Sequence, residues 1–136
     1  MNSTIDDPVR TAASIPWLDA CAQSALTYGH CAACGKAHFY PRPHCPHCHA
    51  SDTGRATSAG IGAIYSWTTV HSKAASYTLA YVRLEEGFTM LTHLVGDPPV
   101  DGWHVGLSVV LGWVVTANGQ NMPVFQQNRT NKEQAA

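Results

Sequence analysis

Residues 31–50 read CAACGKAHFYPRPHCPHCHA, which sets four cysteines among four histidines in twenty positions. Cys31 and Cys34 form one Cys-x-x-Cys pair, and Cys45 and Cys48 form a second, ten residues further on. Two residues between cysteines let both sulfurs face one point while the intervening amides turn toward them. Gly35 directly follows the first pair and relieves its tight turn, and Pro46 stiffens the second. Two such knuckles facing each other supply a four-sulfur tetrahedron, which suits Zn²⁺ at about 2.3 Å per bond. One structural zinc per chain is therefore expected, held by Cys31, Cys34, Cys45 and Cys48. Four thiolates fill the shell, so no position remains on which a water could be activated.

His30, His44, His47 and His49 border or interrupt the pairs. Imidazole ligands in those slots need a different spacing, so these side chains read as solvent-facing or bonded to backbone. Iron is the alternative occupant, because rubredoxin knuckles share the Cys-Pro-x-Cys character. Rubredoxin sites, however, have a much longer gap between pairs and a cage of aromatics. The fifth cysteine, Cys21, reads as a small buried hydrophobe.

Working outward, SIPWLDACAQSAL (14–26) has the marks of a short helix. Ser14 can cap it, Pro16 is tolerated in its first turn, and Asp19 suits the positive end of the dipole. Leu18, Cys21, Ala22, Ala25 and Leu26 recur at helical spacing and form one apolar face. On the other side of the cysteines come five strand-like runs rich in β-branched and aromatic residues. They are 62–72, 77–84, 88–95, 107–116 and 122–127, with tight turns at EEGF (85–88, Gly87 in the left-handed conformation) and ANGQ (117–120). Gly60, Gly62 and Gly112 supply the kinks a strongly coiled sheet needs. No helix is long enough to cover a parallel sheet, so the strands point to a small closed barrel, which removes aggregation-prone edges. An oligonucleotide/oligosaccharide-binding (OB) barrel has five strands and often a helix between the third and fourth. Here GDPPVDGWHVG (96–106) is too rich in proline and glycine to be helical. Either that helix is lost or the barrel is of another type. The expected organisation is mainly β: a disordered tail over 1–13, a docking helix over 14–27, a metal ribbon over 28–53, a barrel over 54–127 and a second tail over 128–136.

Composition narrows the function classes. Apolar residues make up 45% of the chain, enough for one core, whereas only 12% are charged. That is about half the usual share and hints at a surface covered by a partner. Eight Lys plus Arg against nine Asp plus Glu, with no basic run, speak against a nucleic-acid groove, although Tyr65, Trp67, Tyr77 and Tyr81 could supply stacking. The polar, acidic N-terminus does not resemble a signal peptide and no apolar run spans a bilayer, so a cytoplasmic location is expected, with no membrane partner. Catalytic signatures are lacking. His71 and His93 lie on neighbouring strands and read as strand-surface residues, and the serines lack a nucleophile elbow.

The ordered set of motifs, PWLDA, HCAACGKAHFYPRPHCPHC, GIGAIYSWTTVH, YTLAYVRLEEGFTMLTHLVG and VGLSVVL…MPVFQQ, resembles a bacterial and archaeal family of acyl-CoA-associated proteins. Members of that family join a rubredoxin-like zinc ribbon to an OB-fold. The resemblance runs over roughly residues 15–127, and its most specific parts are FYPRPHCPHC and LEEG. It implies a five-stranded OB-type barrel and an accessory, non-catalytic subunit of a thiolase-type acyltransferase complex. The implied partner is a thiolase-fold catalytic subunit, or in some members a hydratase or aldolase, acting on coenzyme A thioesters. A thiolase that cleaves an aryl-succinyl thioester in anaerobic aromatic breakdown is one fit. By the same resemblance, Trp17, Leu18, Phe39, Tyr40 and Arg42 fall at the partner interface, though Phe39 and Tyr40 equally suit packing of ribbon on barrel. Arg42, Lys73 and Arg83 are candidates to meet coenzyme A phosphates. One departure is Ser76, where family members often carry a proline before the second barrel strand.

Overall fold

The computed structural model describes residues 5–12, 14–73 and 75–128. The remainder of the two expected tails, residues 1–4, 13 and 129–136, lies outside the described residues, as does Ala74 in the loop before Ser76. One helix, α1 (Ile15–Ala22), precedes eight strands. The first three, β1 (Thr27–Cys31), β2 (Ala37–His38) and β3 (Thr53–Thr57), form an antiparallel sheet in the order β2-β1-β3. The others are β4 (Ile61–His71), β5 (Ser76–Leu84), β6 (Thr89–Leu94), β7 (Ser108–Val115) and β8 (Asn121–Gln127). They close into a barrel in the order β4-β5-β6-β8-β7, sealed by antiparallel β4–β7 pairing and a short parallel contact of β6 with β8 at Leu94 and Phe125. This is the OB arrangement without a helix between the third and fourth barrel strands. The reason is local: Pro98, Pro99 and left-handed Gly96, Gly102 and Gly106 keep that connection in turns.

Alternation along the barrel strands places Ile64, Ala80, Val82, Leu84, Met90, Val109 and Phe125 inside, where each is almost fully buried. Between Ile64 and Ser66 the register slips by one residue, and the extra residue, Tyr65, is pushed outward. Gly87 has a φ of +98° in the β5–β6 turn, as the turn chemistry requires. Gly60 also takes a left-handed φ (+79°), whereas Gly112 sits in regular register opposite Val124 and makes no kink.

The helix is shorter than its apolar spacing predicts. It stops at Ala22, and Ser24 turns into a left-handed φ of +59°. Ala25 and Leu26 therefore leave the helix, Leu26 entering the core from the connection to β1. Ser14 does not cap by its side chain. Its own backbone is already helical, and its Oγ instead accepts from the Thr11 N–H at 2.7 Å. Asp19 sits past the first turn and pairs with Arg10 at 2.7 Å. What holds the helix end is the β7–β8 turn, where Gln120 Nε2 donates to the Leu18 carbonyl (3.1 Å) and Asn121 Nδ2 to the Cys21 carbonyl (2.9 Å). Both bonds tie the helix to the barrel, and the Cys21 carbonyl also accepts from the Ser24 N–H at 2.8 Å.

Candidate metal centre and the cavities beside it

The ribbon brings the four cysteine sulfurs within 4.8 Å of one another. Cys31 Sγ lies 3.7 Å from Cys48 Sγ, and Cys34 Sγ lies 3.7 Å from Cys45 Sγ. A tetrahedron with metal–sulfur bonds of about 2.3 Å has edges of about 3.8 Å, so the spacing fits zinc. The two knuckles are built alike. The Gly35 N–H donates to the Cys31 carbonyl and the His49 N–H to the Cys45 carbonyl, both at 2.8 Å. Gly35 and His49, each directly after the second cysteine of its pair, are both left-handed, at φ +75° and +67°. Burial opposes ionisation of Cys45, but hydrogen bonds from the Cys48 and His47 N–H groups outweigh it and bring the thiol down to about 6. At Cys48 the Ala50 N–H favours the thiolate, but burial and the Cys31, Cys34 and Cys45 sulfurs outweigh it and push that thiol up to about 11, so of this pair it is Cys45 that yields its proton more readily. None of the four histidines bordering the pairs joins the sulfur cluster, and His47 Nε2 lies 3.3 Å from the Ala37 carbonyl. Cys21 is fully buried, and that burial pushes its thiol up to about 12, which leaves it unreactive.

Ribbon and barrel meet through aromatic rings. Phe39 stacks on Phe88 of the barrel (5.5 Å between centroids) and Tyr28 stacks on the same ring at 4.7 Å. Trp17 meets Phe39 and Tyr40 edge-on at 5.8 and 5.3 Å. The linker is clamped as well: Glu86, in the β5–β6 turn, accepts from Ser58 Oγ and the Ala59 N–H, both at 2.8 Å. Of the five residues expected to face a partner, Trp17 and Leu18 are taken into the chain's own core. Phe39 is half-buried, and Tyr40 and Arg42 are exposed. The three cations expected to meet coenzyme A are not brought together. Lys73 lies at the β4–β5 turn and Arg83 near the opposite end of β5, on the order of 20 Å away at about 3.3 Å per strand residue. Arg83 reaches Thr89 Oγ1 at 3.5 Å, and Arg42 belongs to the ribbon. His71 and His93 stay apart in role: His71 Nδ1 is 3.3 Å from Ser76 Oγ, whereas the His93 ring leans on Tyr77.

Two cavities flank Arg42. One, of about 410 Å³, is walled mainly by apolar side chains including Val9, Trp17, Leu18, Tyr40 and Met122. The other, of about 650 Å³, is lined by Arg42, Arg55, Ser51 and Thr53, and Pro41 and Arg42 belong to both. The outer wall of the first cavity comes from residues 5–12, which the sequence places in a tail. Arg10 bonds Asp19 and Gln120 (2.7 and 2.9 Å), and Asp7 accepts from the Asn118 N–H at 3.1 Å. Hydrogen bonds from Thr116 and Asn118 hold the Asp7 carboxyl below its usual range. Arg55 and this strap carry no motif. The one signal available for Glu86 was the specificity of LEEG itself.

Family comparisons agree with the geometry. The ChsH2 rubredoxin-like zinc ribbon domain matches residues 18–54, and the ChsH2 C-terminal OB-fold domain matches residues 56–114. The chain belongs to the ChsH2 family. A solved structure described as Ltp2-ChsH2(DUF35) aldolase shares 33% identity with a TM-score of 0.78, covering 89% of this chain and 98% of that one. A probable enoyl-CoA hydratase alpha subunit of Thermomonospora curvata is 36% identical over 115 residues, 81% of this chain. A DUF35 domain-containing scaffold protein of Methanocaldococcus jannaschii is 30% identical over 86 residues, 58% of this chain. The chain spans 36% of the length of the hydratase subunit and 60% of the scaffold protein. A DUF35 protein of unknown function from Sulfolobus solfataricus, at 14% identity and a TM-score of 0.63, shares the fold. Among the described residues no helix is long and apolar enough to cross a membrane.

Proposed function

We propose that this ChsH2-family chain is a non-catalytic subunit that docks on an enzyme acting on coenzyme A thioesters and helps to shape its substrate channel. The observation that carries this reading is an apolar stripe left in water on three adjacent barrel strands. Tyr65, Tyr81 and Leu91 are 62%, 48% and 50% exposed, and Tyr81 pairs with Leu91 across β5 and β6. Aromatic and aliphatic side chains grouped in this way mark protein-binding surfaces. The names of two relatives, a hydratase subunit and an aldolase assembly, support a partner of either type. A thiolase-fold partner remains the reading of the motif resemblance, and no residue here favours the aryl-succinyl thioester over other acyl groups. The four thiolates would hold a zinc whose chemistry is structural, fixing the two knuckles and the loop that carries Phe39, Tyr40 and Arg42. The chain's own part is to exclude water and fix the thioester, so that the partner's residues act from set positions.

The test is co-expression with a hydratase, aldolase or thiolase encoded beside this chain. Co-elution and activity that depends on this chain are the expected results. Tyr81→Asp with Leu91→Asp should abolish co-elution while the isolated chain keeps its zinc and its fold. Separate elution, or full partner activity without this chain, would refute the reading.

A further inference from the structure

Closure of the barrel leaves one strand edge bare. β4 is held on both sides only as far as Ile64. It pairs with β7 from Ile61 to Ala63, and Ile64 then donates to the Leu107 carbonyl (3.0 Å) and accepts from the Gly106 N–H (2.8 Å). Beyond the bulge at Tyr65 it runs on as SWTTVH (66–71), paired with β5 on one side alone. Among the described residues no hydrogen bond reaches the backbone of 66–71 from the other side. Because Ile64 turns its N–H and C=O toward β7, its pair with Val82 is a non-hydrogen-bonded one. Pairs alternate along an antiparallel ladder, so Ser66–Tyr81 is hydrogen-bonded, whereas Trp67–Ala80, Thr69–Thr78 and His71–Ser76 are not. The backbone groups of Trp67, Thr69 and His71 therefore face the bare side. Proteins guard a free strand with charge, proline or a covering segment. Here residues 56–72 contain no Lys, Arg, Asp, Glu or Pro, and Ser66, Trp67, Thr68 and His71 are exposed.

An edge of this kind takes an extended, uncharged strand by backbone hydrogen bonds, and the edge itself fits that description. A two-fold axis through Thr69 sets Thr69 against its own counterpart and Trp67 against the His71 of a second copy. All three edge-facing residues are then used on both chains, which gives about six backbone bonds. The same register puts Lys73, the cation nearest the edge, opposite Tyr65 rather than opposite another Lys73, so no like charges meet. Centring the axis on Thr68 or Val70 instead sets His71 against the bulge or Trp67 against the loop beyond the strand, and bonds are lost. We infer that the bare edge of β4 pairs with its counterpart on a second copy of this chain, antiparallel and centred on Thr69, joining two barrels through one continuous sheet. So short an edge buries less than the roughly 1,200 Å² of a stable interface, so the dimer is reversible and forms as concentration rises. Tyr81 and Leu91 lie one and two strands away from the edge, which leaves them free for the docking proposed above. The pairing stands apart from that reading.

The experiment is analytical ultracentrifugation of the zinc-loaded full chain alone, from about 10 µM to about 1 mM, the span suited to so small a contact. The mass is expected to climb from that of the monomer toward twice that value. Thr69→Pro removes an edge N–H at the axis without touching the β4–β5 ladder, and should hold the chain at the monomer mass. Thr69→Lys, which needs no proline, sets two like charges face to face across the axis and should do the same. Thr69→Val keeps the N–H and loses only the 3.0 Å hydroxyl contact with Thr78, so it should dimerise as the parent chain does. Hydrogen exchange reads the mode directly: the amides of Trp67, Thr69 and His71 should gain protection as concentration rises, while those of Thr68 and Val70 stay constant. The inference fails if the parent chain stays monomeric at the highest concentration, if the Pro and Lys variants still dimerise, or if other amides gain the protection. Protection of these amides only when an enzyme partner is added would assign the edge to that partner, and would also overturn the pairing. Neither failure bears on whether Tyr81 and Leu91 support co-elution.

Discussion

Ribbon and barrel are neighbours in one chain but are held by different forces. From residue 29 to residue 55, the fully buried hydrophobic side chains among the described residues are Cys31 and Cys45. Take the metal from these sulfurs and little apolar surface is left to resist the entropy of three short strands. The barrel needs no such help, because Ile64, Val82, Val109, Val124 and Phe125 fill it at 2% exposure or less. The difference teaches where each half is vulnerable. The ribbon fails when its thiols are protonated, oxidised or stripped, and the barrel fails when its packing is cut. They communicate through Phe39 and Tyr28 on Phe88, and through Glu86 on the linker.

The sharpest way to separate the two is Cys45→Ser. Structural zinc sites contribute about 10–16 kcal/mol of apparent binding energy in small zinc-dependent folds, so the ribbon should lose its order outright. Zinc content should fall well below one per chain, and amides of β1–β3 should exchange freely while those of β5 and β7 stay protected. Protected ribbon amides in a zinc-free variant would break the contrast. Next in size is Phe125→Ala, which empties the middle of the barrel and should cost about 3–5 kcal/mol in denaturant unfolding. The ribbon should keep its zinc at concentrations where the barrel is still folded.

The link between the halves should show a smaller effect. Glu86→Gln weakens two charge-assisted bonds to Ser58 and Ala59 and should cost about 1–3 kcal/mol. A double-mutant cycle with Ser58→Ala should recover part of that as coupling, and zero coupling would show the clamp to be idle.

The smallest effect belongs to His38, whose ring lies over Gly29 so closely that a Cβ there would sit 2.0 Å from Nε2. Both ring nitrogens are buried without a hydrogen-bond partner. Burial first, and then the positive charges of Arg42, His47 and His30, hold its pKa below the usual histidine range. The folded ring stays neutral where the unfolded one takes a proton, so stability declines as pH falls below about 6.5 and is flat above it. His38→Phe should leave stability at pH 7 unchanged or raised by about 1 kcal/mol, and should flatten the pH 5.5–7 slope relative to the parent chain. A variant that keeps the parent slope would assign it to other groups.

Much of this architecture was legible in the residues, for reasons that differ along the chain. The sulfur cluster declared itself because its geometry is local, two pairs of cysteines each on a single turn. The barrel strands fell within a residue or two of their runs because alternation and turn residues such as Gly87 and Gly119 are short-range signals. The end of α1 was misplaced because Ala25 and Leu26 sit at helical spacing, yet Leu26 is buried from a non-helical connection. Asn121, a hundred residues away, adds a side-chain bond to the Cys21 carbonyl at that end. The strap escaped for the same reason: nothing near Asp7 or Arg10 in the sequence reveals Asn118 or Gln120. Arg55 escaped because a lone cation on a short strand acquires meaning only beside Arg42.

The partners of the strap lie 110 and 111 residues downstream of it. During synthesis at about 5–20 residues per second, Asp7 and Arg10 leave the ribosome on the order of ten seconds before the turn that receives them exists. The strap is therefore made well before the turn that receives it and is among the last parts of the fold to settle. Until it does, the apolar floor under Val9 stands open to whatever the nascent chain meets.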